Sequence, residues 1–251
     1  MITKMIPKTI VCEDFAAMSL ESAKLMASAV KARPDALLSL AAGNTAIEAY
    51  RCLKDMADRG EIDFSKAKFV ALDEWLDLKD ESENCISFMF KNFYGPLKIP
   101  RENITLFDVH ADDLQKECSR IDQVIFDHGG IDFVLLGAGM NGHLGLNEPG
   151  SDFNGYTKVA ELDPVTMQVG QKYFSKQTAL TRGITLGIRH FTESKNVVLQ
   201  IGTAQKADIV EKLYRSEPTP NIPATVIKQI PGATVVLDRD AAANITDLLE
   251  K

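Results

Sequence analysis

His143 and Glu148 stand five residues apart in Gly142-His143-Leu144-Gly145-Leu146-Asn147-Glu148-Pro149. An imidazole titrates near neutral pH and suits general acid–base work. A tight loop can fold a carboxylate back onto it, which keeps the ring protonated longer and fixes its tautomer. Asn141 is near enough to orient the ring through its side chain. Asp73 and Glu74, in Leu72-Asp73-Glu74-Trp75, add a pair of carboxylates. Each feature also has a plainer reading, a loop histidine without a role and an acidic surface turn. None of these residues forms a Gly-x-Ser-x-Gly elbow or has metal-ligand spacing, so no metal is expected. His110, His128 and His190 are isolated and read as surface or helix-end residues.

Two glycine-bearing loops could bring backbone close to a ligand. Gly137-Ala138-Gly139-Met140-Asn141-Gly142 matches G-x-G-x-x-G after an apolar run. A dinucleotide site also needs the third glycine to open a helix. Gly145, Pro149, Gly150 and Asp152 leave no room for one, so no nucleotide cofactor is expected. Ala41-Ala42-Gly43-Asn44-Thr45 joins a strand to a helix. Glycine allows close approach, Thr45 reads as a helix cap, and free N–H groups at a helix start attract phosphate. A plain β–α turn fits the same residues, and no Walker lysine follows.

These loops need a scaffold, and the chain alternates strand and helix patterns. Phe15, Met18, Leu25, Met26, Ala29 and Val30 share a helical face within 13–32. Strands are expected at 36–41, 67–72, 103–107, 131–136, 184–188, 196–201 and 233–238. Helices are expected at 46–58, 84–94, 112–127, 203–215 and 240–250, with a short one near 222–229. This alternation implies a mostly parallel sheet with right-handed crossovers. The fold read here is α/β, a single doubly wound, Rossmann-like domain over 1–251 with helices on both faces. Ligands of such sheets sit at the carboxyl ends of strands. The site is therefore expected in the loops 41–45, 73–83, 137–155 and 202–206.

Composition narrows the function classes. The 251 residues are 45% hydrophobic and 25% charged, as in ordinary globular chains. Lys and Arg number 28 against 35 Asp and Glu, a net charge of −7. That disfavours a broad nucleic-acid face but not a small anionic ligand in a local pocket. No 18-residue apolar run and no signal-peptide pattern occur, so neither membrane partner nor export is expected. Cys12, Cys52, Cys85 and Cys118 are scattered, which fits reduced thiols in a cytoplasmic protein.

Taken together, the Asp73–Trp75 string, Gly137 to Pro149 and the Gly43-Asn44-Thr45 loop resemble the glucosamine-6-phosphate deaminase family. The likeness covers nearly the whole chain, to about residue 240. Within the family, Asp73 to Leu78 and Thr181-Arg182-Gly183-Ile184-Thr185-Leu186-Gly187 look most like the galactosamine-6-phosphate isomerase branch. The related 6-phosphogluconolactonases share the fold but carry a P-D-G-H-T-A-S-L-F-type loop that this chain lacks.

The resemblance implies an aldose–ketose isomerisation coupled to loss of ammonia, without cofactor or metal. The substrate would be galactosamine 6-phosphate ahead of glucosamine 6-phosphate. The alternatives are glucosamine-6-phosphate deaminase proper, a lactonase-like hydrolase or a non-catalytic sugar-phosphate sensor. By the same resemblance His143 shuttles the ring-opening proton, and Glu148 and Asn141 support it. Asp73 moves the C2 proton to C1. Ala42, Gly43, Asn44 and Thr45 form the phosphate loop, with Lys172 and Lys206 as its basic residues. Ala42 stands where many members have threonine, Asn141 where many have aspartate, and Lys172 where the best-known members have arginine. Lys158 and Ala160 make the effector segment of the regulated hexameric members only partly basic, and the chain stops at Lys251 before their longer tail. No effector activation is therefore expected, while a homo-oligomer is left open.

Overall fold

The computed structural model describes residues 7–249. Its strands are β1 (Lys8–Cys12), β2 (Leu37–Leu40), β3 (Lys68–Val70), β4 (Asp73–Trp75), β5 (Ile104–Thr105), β6 (Phe133–Gly137), β7 (Lys158–Glu161), β8 (Arg182–Thr185), β9 (Val197–Ile201) and β10 (Thr234–Asp238). Its α-helices are α1 (Phe15–Ala32), α2 (Asn44–Asp58), α3 (Cys85–Met89), α4 (Leu114–Asp127), α5 (Pro164–Gly170), α6 (Ile188–Thr192), α7 (Ala207–Arg215) and α8 (Thr246–Leu249).

Seven strands form one parallel sheet in the order β1-β10-β9-β6-β2-β3-β5. Side chains alternate across it, as a pleat requires. Leu37, Val134 and Val235 face Ile121 of α4 and Leu213 of α7. Leu38, Leu135 and Val236 face Met26 of α1 and Leu53 of α2. Burial on both faces explains why these strands are continuous apolar runs.

From β2 the chain winds outward through β3 to β5. From β6 it winds the other way through β9 to β10. The winding therefore reverses between the neighbours β2 and β6, whose register runs from Leu38↔Phe133 to Leu40↔Leu135. Crevices that hold ligands open at such reversals. The loops leaving these two strands are Ala41–Gly43 and the stretch after Gly137.

A second sheet was not expected from the sequence. It is antiparallel, in the order β4-β8-β7, and lies beyond the carboxyl end of β3. Residues 73–83 read as loop because β4 has three residues, and no strand was read between 155 and 183. Lys158, Glu161, Arg182 and Gly183 give β7 and β8 little strand propensity. The strand expected at 184–188 lies at Arg182–Thr185, and α6 begins at Ile188. β1 and α5 were also not read. The expected helix at 240–250 is a short turn, Ala243–Ile245, followed by α8, and residue 250 lies outside the described residues. His190 is not a surface residue. It is buried in α6 with Nε2 2.7 Å from Asp122.

Candidate active site

The carboxylate pair is placed by β4, where successive side chains point to opposite sides. Glu74 is fully buried and accepts amide protons from Trp75 (2.8 Å), Cys85 (3.0 Å) and Ile86 (2.7 Å). Asp73 faces a cavity of about 410 Å³. Burial, then the charge of Glu74, pushes Asp73 up to about 7, against a thiol hydrogen bond from Cys85. Burial also pushes Glu74 to about 7, against its amide bonds. Three amides favour the anion at Glu74, so Asp73 is the member that takes up a proton.

His143 stands on the loop that leaves β6. The loop closes on itself through Gly139 N to His143 O at 3.0 Å. Asn147, fully buried, pins it with bonds to Leu144 O (2.9 Å) and Leu186 O (2.8 Å). A Cβ on Gly139 would lie 2.3–2.5 Å from three ring atoms of His143, so only glycine leaves room for the imidazole. His143 Nδ1 is 2.9 Å from Thr166 Oγ1 and 3.5 Å from Glu148 Oε2. Nε2 has no protein hydrogen-bond partner among the described residues. Burial raises Glu148, but the His143 hydrogen bond and charge, with Thr166 and Asn141, bring it below the usual carboxylate value.

Asn141 does not orient the ring directly. It donates to Glu148 Oε2 (2.9 Å) and accepts from the His143 amide (3.2 Å), so it holds the carboxylate and the loop backbone.

Another part of the cavity lining comes from the large sheet. Gly43 precedes α2 without a side-chain cap. Thr45 therefore does not cap the helix as read from the sequence. It lies in the first turn, where Gln200 Nε2 donates to its carbonyl at 2.8 Å. Lys206, in the turn after β9, donates to Ala138 O at 2.7 Å. Burial and then the charge of Lys172 lower Lys206 to about 8, and burial lowers Lys172. Two desolvated ammonium groups beside uncapped helix amides favour an anion.

Ala42, Gly43, Asn44, Thr45, Asp73, His143, Lys172 and Lys206 all line the cavity, and Asn141 and Glu148 stand behind His143. Sequence reading missed Thr166, Tyr173, Cys85 and Gln200, which also line it. Tyr173 adjoins Lys172 in sequence, the one signal that could have found it. The two segments resembling the galactosamine branch prove to be neighbours. Asp73 pairs with Thr185 and Trp75 with Gly183, and Arg182 forks onto Asp77 at 2.9 and 3.0 Å outside the cavity. Among the described residues, no cluster of three or more His, Cys, Asp or Glu could hold a metal, and no helix is long and apolar enough to cross a membrane.

Comparison with known proteins shows the family. Residues 13–236 match the family described as glucosamine-6-phosphate isomerases/6-phosphogluconolactonase. The chain belongs to this family. It is 36% identical to glucosamine-6-phosphate deaminase of Bacillus pumilus (strain SAFR-032) over 92% of this chain and 97% of that one. Identity to the enzyme of the same name from Thermoanaerobacter pseudethanolicus is 34%, over 96% of each. The solved structure of a monomeric glucosamine-6-phosphate deaminase superposes with a TM-score of 0.90 at 32% identity, covering 94% of this chain and 99% of that one. A 6-phosphogluconolactonase from Leishmania guyanensis, at 20% identity and a TM-score of 0.74, covers 96% of this chain and 99% of that one and shares the fold.

Proposed function

We propose that the chain is an amino-sugar-6-phosphate isomerase/deaminase that converts glucosamine 6-phosphate to a ketose 6-phosphate and ammonia. The observation that carries this is the meeting of acid–base groups and anion-binding groups in one cavity. Asp73 and His143, the latter held by Thr166 and Glu148, line it together with uncapped amides and two lysines. The phosphate sits against Gly43–Thr45, Lys172 and Lys206. His143, held by Glu148, carries the proton from the O1 hydroxyl to O5, which opens the ring and leaves C1 as an aldehyde. Asp73 removes the C2 proton, the C2 ammonium of the substrate gives up one proton that reaches O1, and an enolamine forms. Asp73 returns its proton to C1, leaving a C2 imine. Water adds at C2, ammonia leaves, and the C2 ketone remains. A carboxyl poised near 7 suits both removal and return of a carbon-bound proton. No step requires a metal or redox cofactor.

The epimer is inferred from the two relatives named above, both called glucosamine-6-phosphate deaminase. The galactosamine-like segments favour the other epimer, but their Asp77 and Arg182 lie away from the cavity, so they brace a sheet rather than read C4. The test is ammonia release from glucosamine 6-phosphate and galactosamine 6-phosphate side by side. Faster release from the gluco sugar is expected. Faster release from the galacto sugar would reverse the epimer and keep the mechanism, and release from neither would overturn the activity.

A further inference from the structure

Tyr173 reaches the cavity from the turn Gln171–Tyr173 that follows α5, an element belonging to neither sheet. Its hydroxyl lies over the start of α2, because a Cβ placed on Gly43 would be 3.4 Å from Tyr173 Oη. Lys172, next in the chain, holds its ammonium 5.0 Å from the centre of the Tyr173 ring. The hydroxyl has no protein hydrogen-bond partner among the described residues. Tyrosine hydroxyls drawn into a protein ordinarily find one. Burial first, then the charges of Cys85 and Asp73, push Tyr173 up to about 12, so it stays an O–H donor throughout the working range. An unpaired donor, the uncapped start of α2 and two ammonium groups thus line one cavity.

We propose that Tyr173 touches the substrate directly, its hydroxyl donating to a phosphate oxygen seated on the Gly43–Thr45 turn. The inference rests on the sugar-phosphate reading above. It gives α5 and its following turn two tasks. Thr166 holds His143 Nδ1 at 2.9 Å, and seven residues later Tyr173 holds the phosphate.

The experiment is Tyr173→Phe, which removes one oxygen and keeps the ring under Lys172. Binding of glucitol 6-phosphate, an open-chain analogue with no C2 amine to lose, is measured by calorimetry. Inhibition by inorganic phosphate is measured in the ammonia assay. A hydrogen bond to a charged oxygen corresponds to a loss of about tenfold or more, expected in both constants. KM for the amino-sugar phosphate should rise by the same factor with kcat little changed. Equal affinity for glucitol 6-phosphate in the two proteins would overturn the inference, and so would a loss confined to glucitol 6-phosphate with phosphate inhibition unaltered. If the wild-type protein bound no glucitol 6-phosphate, the sugar-phosphate reading itself would fall, which separates the two failures.

Discussion

The seven-stranded sheet and the three-stranded sheet contribute to the cavity by different means. The ends of the large sheet deliver the amides that open α2 after β2, His143 on the loop after β6, and Lys206 in the turn after β9. The small sheet delivers side chains. Asp73 comes from β4, and Thr185 of β8 accepts the Leu146 amide at 3.1 Å and braces the His143 loop. Backbone donors bind an anion at nearly any pH. Buried carboxylates instead acquire shifted proton affinities, which chemistry needs. Damage to the small sheet should therefore appear in kcat, and damage to the turns after β2 and β9 in KM.

The largest effect expected is at Asp73. Asp73→Asn keeps the shape and removes the base, so kcat should fall by about 10²–10⁴-fold. Binding of glucitol 6-phosphate should persist, and exchange of the C2 hydrogen with heavy water should stop. Wild-type turnover in this variant would remove the base assignment and the division between the sheets with it.

Gly139→Ala attacks the loop between the two sheets. The new methyl would stand 2.3–2.5 Å from the imidazole atoms, so the ring must leave its place beside Thr166. Misplacement of about 1 Å can cost on the order of 100-fold in rate. Asn147 still pins the loop, so the unfolding temperature should change little. A normal kcat would show that the ring position is not what matters.

The pH profile separates the two sets of groups without mutation. Asp73 acts as the anion, so kcat/KM should rise as pH climbs through about 7. Lys206 binds as the cation, so kcat/KM should fall as pH climbs through about 8. Bound phosphate holds the proton on Lys206, so the alkaline limb belongs to kcat/KM more than to kcat. Lys206→Arg keeps the charge at all working pH, and it should remove the alkaline limb while leaving the acid one. An alkaline limb that survives would assign it to another group.

The same contrast explains what was legible in the sequence. Strands β2, β6, β9 and β10 are apolar on both faces and read as continuous runs. The loops after β2 and β6 followed directly, and with them Gly43, Asn44, Thr45, Asn141, His143 and Glu148 as candidates, whereas Ala42, Lys172 and Lys206 came only from the family resemblance. The small sheet was hidden because β4, β7 and β8 have three or four residues each, too few to show a period. Thr166 was hidden for another reason. A lone threonine in the seven-residue α5 has no pattern of its own, and only folding brings it to His143 across 23 positions. Asn141 was placed correctly but read in the wrong bond, because its amide meets Glu148 and not the ring.

The smallest effect expected lies in the large sheet's own wall. Thr203 has φ of 79°, a left-handed conformation that is rare for a β-branched residue. Its amide donates to Asp238 Oδ2 at 2.7 Å, and its carbonyl accepts from the Lys206 amide at 3.0 Å, so the bend aims the lysine. Non-glycine residues held there cost on the order of 1–3 kcal/mol. Thr203→Gly would relieve that strain, offset by about 0.5–1 kcal/mol of extra freedom in the unfolded chain. A net gain of about 1 kcal/mol corresponds to a rise of about 2–4 °C in Tm for a chain of this size. Both backbone bonds survive, so KM should not move. A lower Tm would mean that the threonine side chain, and not the backbone bond to Asp238, holds the turn. A raised KM would show that the turn needs stiffness to present Lys206, so that the backbone wall, too, acts through a particular side chain.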